Sequence, residues 1–152
     1  MCLALIGVLL APACQSQSQS TGPESRPLVP AQRAPFAIGP DDWPTYGHDA
    51  TRSNTAPAQP VNGLSNRWTS PRLDGQVYAS PLVVGDQVIV ATEGGSLYSL
   101  DATSGRINWQ RHLGAPVSGE SLPCGNISPL GITGTPVADP ETGLIFAVFE
   151  TQ

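Results

Sequence analysis

Two stretches of this chain repeat one another, and an internal repeat limits the possible folds more than any other feature of the sequence. Asn66-Arg67-Trp68-Thr69-Ser70-Pro71-Arg72-Leu73 is echoed by Asn108-Trp109-Gln110-Arg111-His112-Leu113. In both, a Trp precedes an Arg and a Leu, and a glycine follows (Gly75, Gly114). Trp68 and Trp109 stand 41 residues apart. Residues 79–91 (ASPLVVGDQVIVA) are echoed by Gly134-Thr135-Pro136-Val137-Ala138-Asp139 and, after a turn, by residues 143–148. Here Pro81 and Pro136 stand 55 residues apart. The difference of 14 predicts an insertion between Trp109 and Pro136, taking in much of residues 118–131.

Within one unit, four short runs are rich in β-branched and aromatic residues: 78–84, 87–92, 96–100 and 106–113. Gly85-Asp86, Gly94-Gly95 and residues 101–105 separate them, which is the pattern of strands joined by tight turns. Four strands in about 40 residues, repeated, are the signature of a propeller blade. One blade cannot bury both of its faces alone, so blades must stack. Composition agrees: of 152 residues, 16 are Gly and 16 Pro, which disfavours long helices. The longest turn reads Asp101-Ala102-Thr103-Ser104-Gly105. Asp101 is placed to accept backbone N–H groups ahead of it, with weaker help from Thr103 and Ser104. Gly105 takes positive φ at little cost. Trp109 then carries a large apolar area to the blade boundary.

The run from Ser99 to Trp109 resembles the tryptophan-docking motif of the quinoprotein-like (PQQ-repeat) β-propellers, A-x-D-x-x-T-G-x-x-x-W. Asp101, Gly105 and Trp109 match; Ser99 replaces the Ala and Ser104 the Thr. The resemblance implies that Trp109 stacks between adjacent blades. Residues 41–49 (DDWPTYGHD) resemble the segment that introduces such domains. Trp68 precedes any complete blade, so residues 64–73 are read as an outer strand of the kind that closes a propeller ring. The expected fold is all-β, a partial β-propeller over residues 41–152. It holds one complete four-stranded blade, the start of a second ending in a strand at 146–150, and one closing strand. On this reading the sequence is the N-terminal piece of a larger propeller.

The N-terminus reads as an export signal. Residues 3–11 (LALIGVLLA) form an apolar run of nine, too short to span a bilayer and suited to a signal-peptide core. It ends at Leu10-Ala11-Pro12-Ala13-Cys14, which resembles a bacterial lipobox with Cys14 as the lipidated residue. The competing reading is an ordinary cleaved signal with an incidental Cys. Residues 1–14 are therefore the signal, and residues 15–40, dominated by Ser, Gln and Pro, are a disordered tether. The multiple acyl chains implied by the lipobox give a stable membrane anchor. Export places the protein on the outer face of a bacterial membrane, or in the periplasm or beyond. In the folded part only Cys124 remains, either as a buried free thiol or with a disulfide partner beyond Gln152.

Chemistry is scarce. Net charge is −5 and there is no basic stripe, which argues against nucleic acid. All seven cationic residues are Arg, which excludes Schiff-base lysine chemistry and a P-loop lysine within this stretch. No C-x-x-C, H-E-x-x-H or EF-hand loop is present. His48-Asp49 is read as turn sequence, and His112 as a solvated neighbour of Arg111. The insertion is a long loop, a common place for function in compact domains. The dehydrogenases of the resembled family carry an adjacent Cys pair beside the quinone and carboxylate and Asn ligands to calcium. Cys124 is followed by Gly125, so no cofactor is evident here; quinone with calcium would need ligands from elsewhere. Two functions are compatible with these residues. The first is a non-catalytic envelope scaffold that binds a protein, peptide or glycan; the second is a fragment of a quinone-dependent dehydrogenase.

Overall fold

The computed structural model describes residues 35–57, 63 and 67–151. The signal, Cys14, most of the tether and residues 64–66 of the expected closing strand lie outside the described residues. Four antiparallel strands form the first unit: β1 (Leu82–Val84), β2 (Gln87–Ala91), β3 (Ser96–Asp101) and β4 (Ile107–His112). They lie in chain order in one sheet. A second unit begins with β5 (Val137–Asp139) and β6 (Leu144–Phe146), an antiparallel pair. This is one propeller blade and part of another, in an unclosed arrangement. No helix among the described residues is long and apolar enough to cross a membrane.

The blade buries both faces. On one, Leu82, Val84, Ile89, Ala91 and Leu97 pack with Ile132 and Ala138 of the chain that follows, and Phe36, Ile145 and Phe149 cover them. On the other, Val90, Tyr98 and Leu100 pack under Trp68, Leu73 and Val88. β3, one of the two inner strands, is buried along Ser96–Leu100, whereas every residue of the outer strand β4 is exposed.

Register decides where Trp109 goes. Leu100 pairs with Ile107 but Ser99 pairs with Trp109, so Asn108 is bulged out of the ladder. A one-residue bulge moves every later side chain to the opposite face. Trp109 thereby joins the Leu97–Ser99 face, the side on which β5 and β6 lie.

Several expected elements are shorter than their apolar runs. Residues 78–81 precede β1 without pairing, because strand entry is delayed to the residue after Pro81, which has no N–H to give a ladder. The second strand of the second unit is Leu144–Phe146, not 146–150. Residues 147–150 leave that pairing: Glu150 donates its N–H to the Gly131 carbonyl at 3.1 Å, and Phe149 lies against Gly114. Residues 67–73 run without ladder pairing and hold the blade through side chains.

Candidate functional site

The Asp101–Gly105 turn is built as its sequence predicts. One Asp101 carboxylate oxygen accepts the N–H of Thr103 at 3.2 Å, the N–H of Ser104 at 2.7 Å and the Ser104 hydroxyl at 2.6 Å. The Ser104 bonds, above all, hold the Asp101 carboxyl below its ordinary pKa. Gly105 has φ +73° and returns its N–H to the Asp101 carbonyl at 2.8 Å. Trp68 arrives from 34 residues upstream and donates its indole N–H to the Ala102 carbonyl at 2.9 Å. Its six-membered ring lies so close over Gly105 that a Cβ there would collide with it. Trp68, Asp101 and Gly105 are thus brought together. Trp109 stands apart from them and 37% exposed, in a groove of about 500 Å³ shared with Leu97, Leu113, Leu144 and Ile145.

A second turn of the same kind joins β5 to β6; the sequence places a turn here, but its likeness to the Asp101 motif was missed. Asp139 accepts the Glu141 N–H at 3.0 Å and the Thr142 hydroxyl at 2.6 Å. Gly143 has φ +65° and bonds back to the Asp139 carbonyl at 3.0 Å. The signal was legible: Asp139-Pro140-Glu141-Thr142-Gly143 matches the D-x-x-T-G core of the motif more closely than residues 101–105 do. It was hidden because no aromatic residue stands four positions past Gly143, where Ala147 sits.

Asp74 is a further residue that sequence reading overlooked. Its carboxylate accepts the Thr92 hydroxyl at 2.7 Å and the Ser96 hydroxyl at 2.5 Å, and its N–H donates to the Tyr98 hydroxyl at 3.2 Å. Partial burial opposes ionisation of Asp74, but the bonds from Ser96, Thr92 and Tyr98 outweigh it and keep the pKa below its ordinary value. Gln110 adds its amide to Tyr98 at 2.8 Å. His112 is not merely solvated beside Arg111: its Nδ1 lies 3.1 Å from the Ser96 hydroxyl. Since that hydroxyl spends its one proton on Asp74, Nδ1 is the donor. Ser96 is fully buried and its oxygen is spoken for on both sides, so this Ser-His-Asp grouping ties the 67–77 segment to β3 and β4 and presents no nucleophile.

The insertion is moored by a buried acid. Glu93, 2% exposed, accepts the Gly131 N–H at 2.7 Å and the Thr133 hydroxyl at 3.1 Å through one oxygen. Val117 and Leu130 pair across the base of the loop at 2.9 and 2.8 Å, and a 3-10 turn at Gly119–Ser121 starts it. Cys124 sits on the loop as an exposed free thiol, which removes the buried-thiol alternative. In the leader, His48 has φ +78° and its ring lies 4.8 Å from that of Trp43. Its Nδ1 is 3.5 Å from Asp49. The Asp49 oxygens already accept from Ser53 and Thr51, which hold its pKa far below normal, so Asp49 is a turn anchor.

A four-stranded blade with both faces covered, seated by a tryptophan over an Asp-to-Gly turn, defines a β-propeller repeat protein. Comparison with known proteins makes this specific. Residues 65–148, more than half of the chain, match the family described as outer membrane protein assembly factor BamB, and the chain belongs to that family. It is 34% identical over 74 residues to the outer membrane protein assembly factor BamB of Burkholderia pseudomallei (strain K96243). That match takes in 48% of this chain and spans about a fifth (19%) of the length of that relative.

Proposed function

We propose that this chain belongs to a non-catalytic scaffold of the bacterial envelope, which binds protein partners during the assembly of outer-membrane proteins. The observation that carries the reading is the family match over residues 65–148, which takes in the four-stranded blade and the β5–β6 pair. The site chemistry supports it: Asp74, Ser96, Asp101 and Asp139 are spent on internal hydrogen bonds. In this reading Trp68, Asp101 and Gly105 dock the flanking segment onto the blade, and Trp109 serves the same purpose on the face toward the second unit. Cys124 is open to a disulfide partner. Cys14 carries the lipid anchor, residues 15–40 are the tether, and the propeller works at the outer face of a bacterial membrane or in the periplasm.

No quinone and no calcium are assigned to the described residues. Among them no three of His, Cys, Asp or Glu come close enough to hold a metal ion, and Cys124 lacks a neighbouring cysteine. The test is genetic and biochemical. Deleting the gene should lower the amount of correctly assembled β-barrel protein in the outer membrane, with rescue by the native gene. A Cys14→Ala copy should lose palmitate labelling and leave the membrane fraction. Unchanged assembly in the deletion strain would overturn the scaffold reading.

A further inference from the structure

The leader segment 36–45 belongs to neither unit, yet it bonds to the first strand of both. At β1, Trp43 and Val83 exchange backbone bonds, 2.7 Å from the Trp43 N–H and 3.1 Å from the Val83 N–H. Just past β1, the Asp42 carboxylate accepts the Gly85 N–H at 2.9 Å, and the same oxygen accepts the Gly39 N–H at 2.8 Å. At β5, the Ala138 N–H donates to the Pro44 carbonyl at 2.8 Å. Beyond β5, the Phe36 N–H donates to the Pro140 carbonyl at 3.0 Å, in the Asp139–Gly143 turn. The Phe36 ring packs on the cluster that contains Leu82 of β1 and Ala138 of β5.

A strand edge leaves backbone groups that need partners. The leader supplies them to two edges at once, and its sequence suits the task. Pro44 has no N–H and offers β5 only a carbonyl. Asp42 folds back on Gly39 and so holds the segment in the shape that reaches Gly85. Gly85 has φ +58°, and the Ala37 carbonyl would lie 2.9 Å from a Cβ placed there, so the leader passes close over the β1–β2 turn. The entries to the two first strands also touch directly, through the Ser80 N–H and the Thr135 hydroxyl at 3.1 Å.

We infer that residues 36–45 act as a strap that couples the first strands of consecutive units, so that β1 and β5 open together rather than separately. Hydrogen exchange on the full chain tests this, because three amides on the two strands and the adjoining turn, Val83, Gly85 and Ala138, donate to the strap. Of these three amides, Asp42→Ala removes the acceptor of Gly85 only; within the strap it also removes that of Gly39. On the strap model, exchange at Val83, Gly85 and Ala138 rises together, by about tenfold, while Tyr98 and Leu100 in the central ladder keep their protection. Faster exchange at Gly85 with Ala138 unchanged overturns the inference. Should Asp42→Ala unfold the chain, the unsubstituted protein answers the question in low denaturant. There, the strap requires one shared opening free energy and one denaturant slope for the three amides, and separate slopes for Gly85 and Ala138 refute it.

Discussion

The turn at Asp101–Gly105 and the turn at Asp139–Gly143 share their chemistry and differ in what reaches them. Each begins with an Asp that gathers an N–H and a hydroxyl from the next three residues, and each ends on a glycine with positive φ. In each, the carbonyl of the second residue takes a donor from far upstream. At Ala102 the donor is the indole of Trp68, whose ring also covers Gly105; at Pro140 it is the backbone of Phe36. Local sequence therefore makes the platform, and a distant segment decides its use. At Ala102 the side chain that donates the bond also covers the turn, whereas at Pro140 the main chain donates and the Phe36 ring packs on the core cluster instead.

The largest expected effects test whether ring and glycine at the first turn act as a unit. Trp68→Ala should cost about 3 kcal/mol in urea unfolding, as for truncation of a packed aromatic. Gly105→Ala should cost about 4 kcal/mol, because the new Cβ displaces the ring and sits at a positive φ. The two together should cost little more than Gly105→Ala alone, since the same contact is lost once. Simple addition of the two losses would show that Trp68 does not depend on Gly105 for its seat.

Trp109 provides an intermediate case. It lies on the face of β4 toward the second unit but remains partly exposed, so Trp109→Ala should cost only about 1 kcal/mol in this chain. A loss equal to that of Trp68→Ala would mean that the groove beside Leu144 and Ile145 grips it as firmly as Gly105 grips Trp68.

The smallest effect is set by pH. Asp74, Asp101 and Asp139 each ionise more readily in the folded state than at their ordinary pKa of 3.8. A carboxyl with a depressed folded pKa adds stability above its unfolded value and loses it as pH falls through the folded one. The melting temperature should therefore begin to fall as pH drops below about 4. Asp74→Asn should shallow that fall more than Asp139→Asn, because Asp74 is partly buried and joins two segments. Equal effects would show that the acid sensitivity resides in the turns themselves.

What the sequence determined by itself is local. Runs rich in β-branched and aromatic residues, with Gly and Asp at the turns, specified the four strands, since strand and turn preferences act over a few neighbouring residues. Local sequence also specified the backbone N–H bonds to the Asp101 carboxylate and the positive φ of Gly105, but not the dominant part that the Ser104 hydroxyl plays. Tertiary structure decided everything that depends on register and on which segment arrives. The bulge at Asn108 put Trp109 on the face toward β5 and β6, and no residue preference at Asn108 announces it. His112 found the buried Ser96 only because β3 and β4 lie in this pairing. Asp74 and Trp68 reach the blade, and Phe36 and Pro44 reach the second unit, across dozens of residues of chain. Such contacts form because a blade face or a strand edge must be covered, and the choice of cover belongs to the folded molecule.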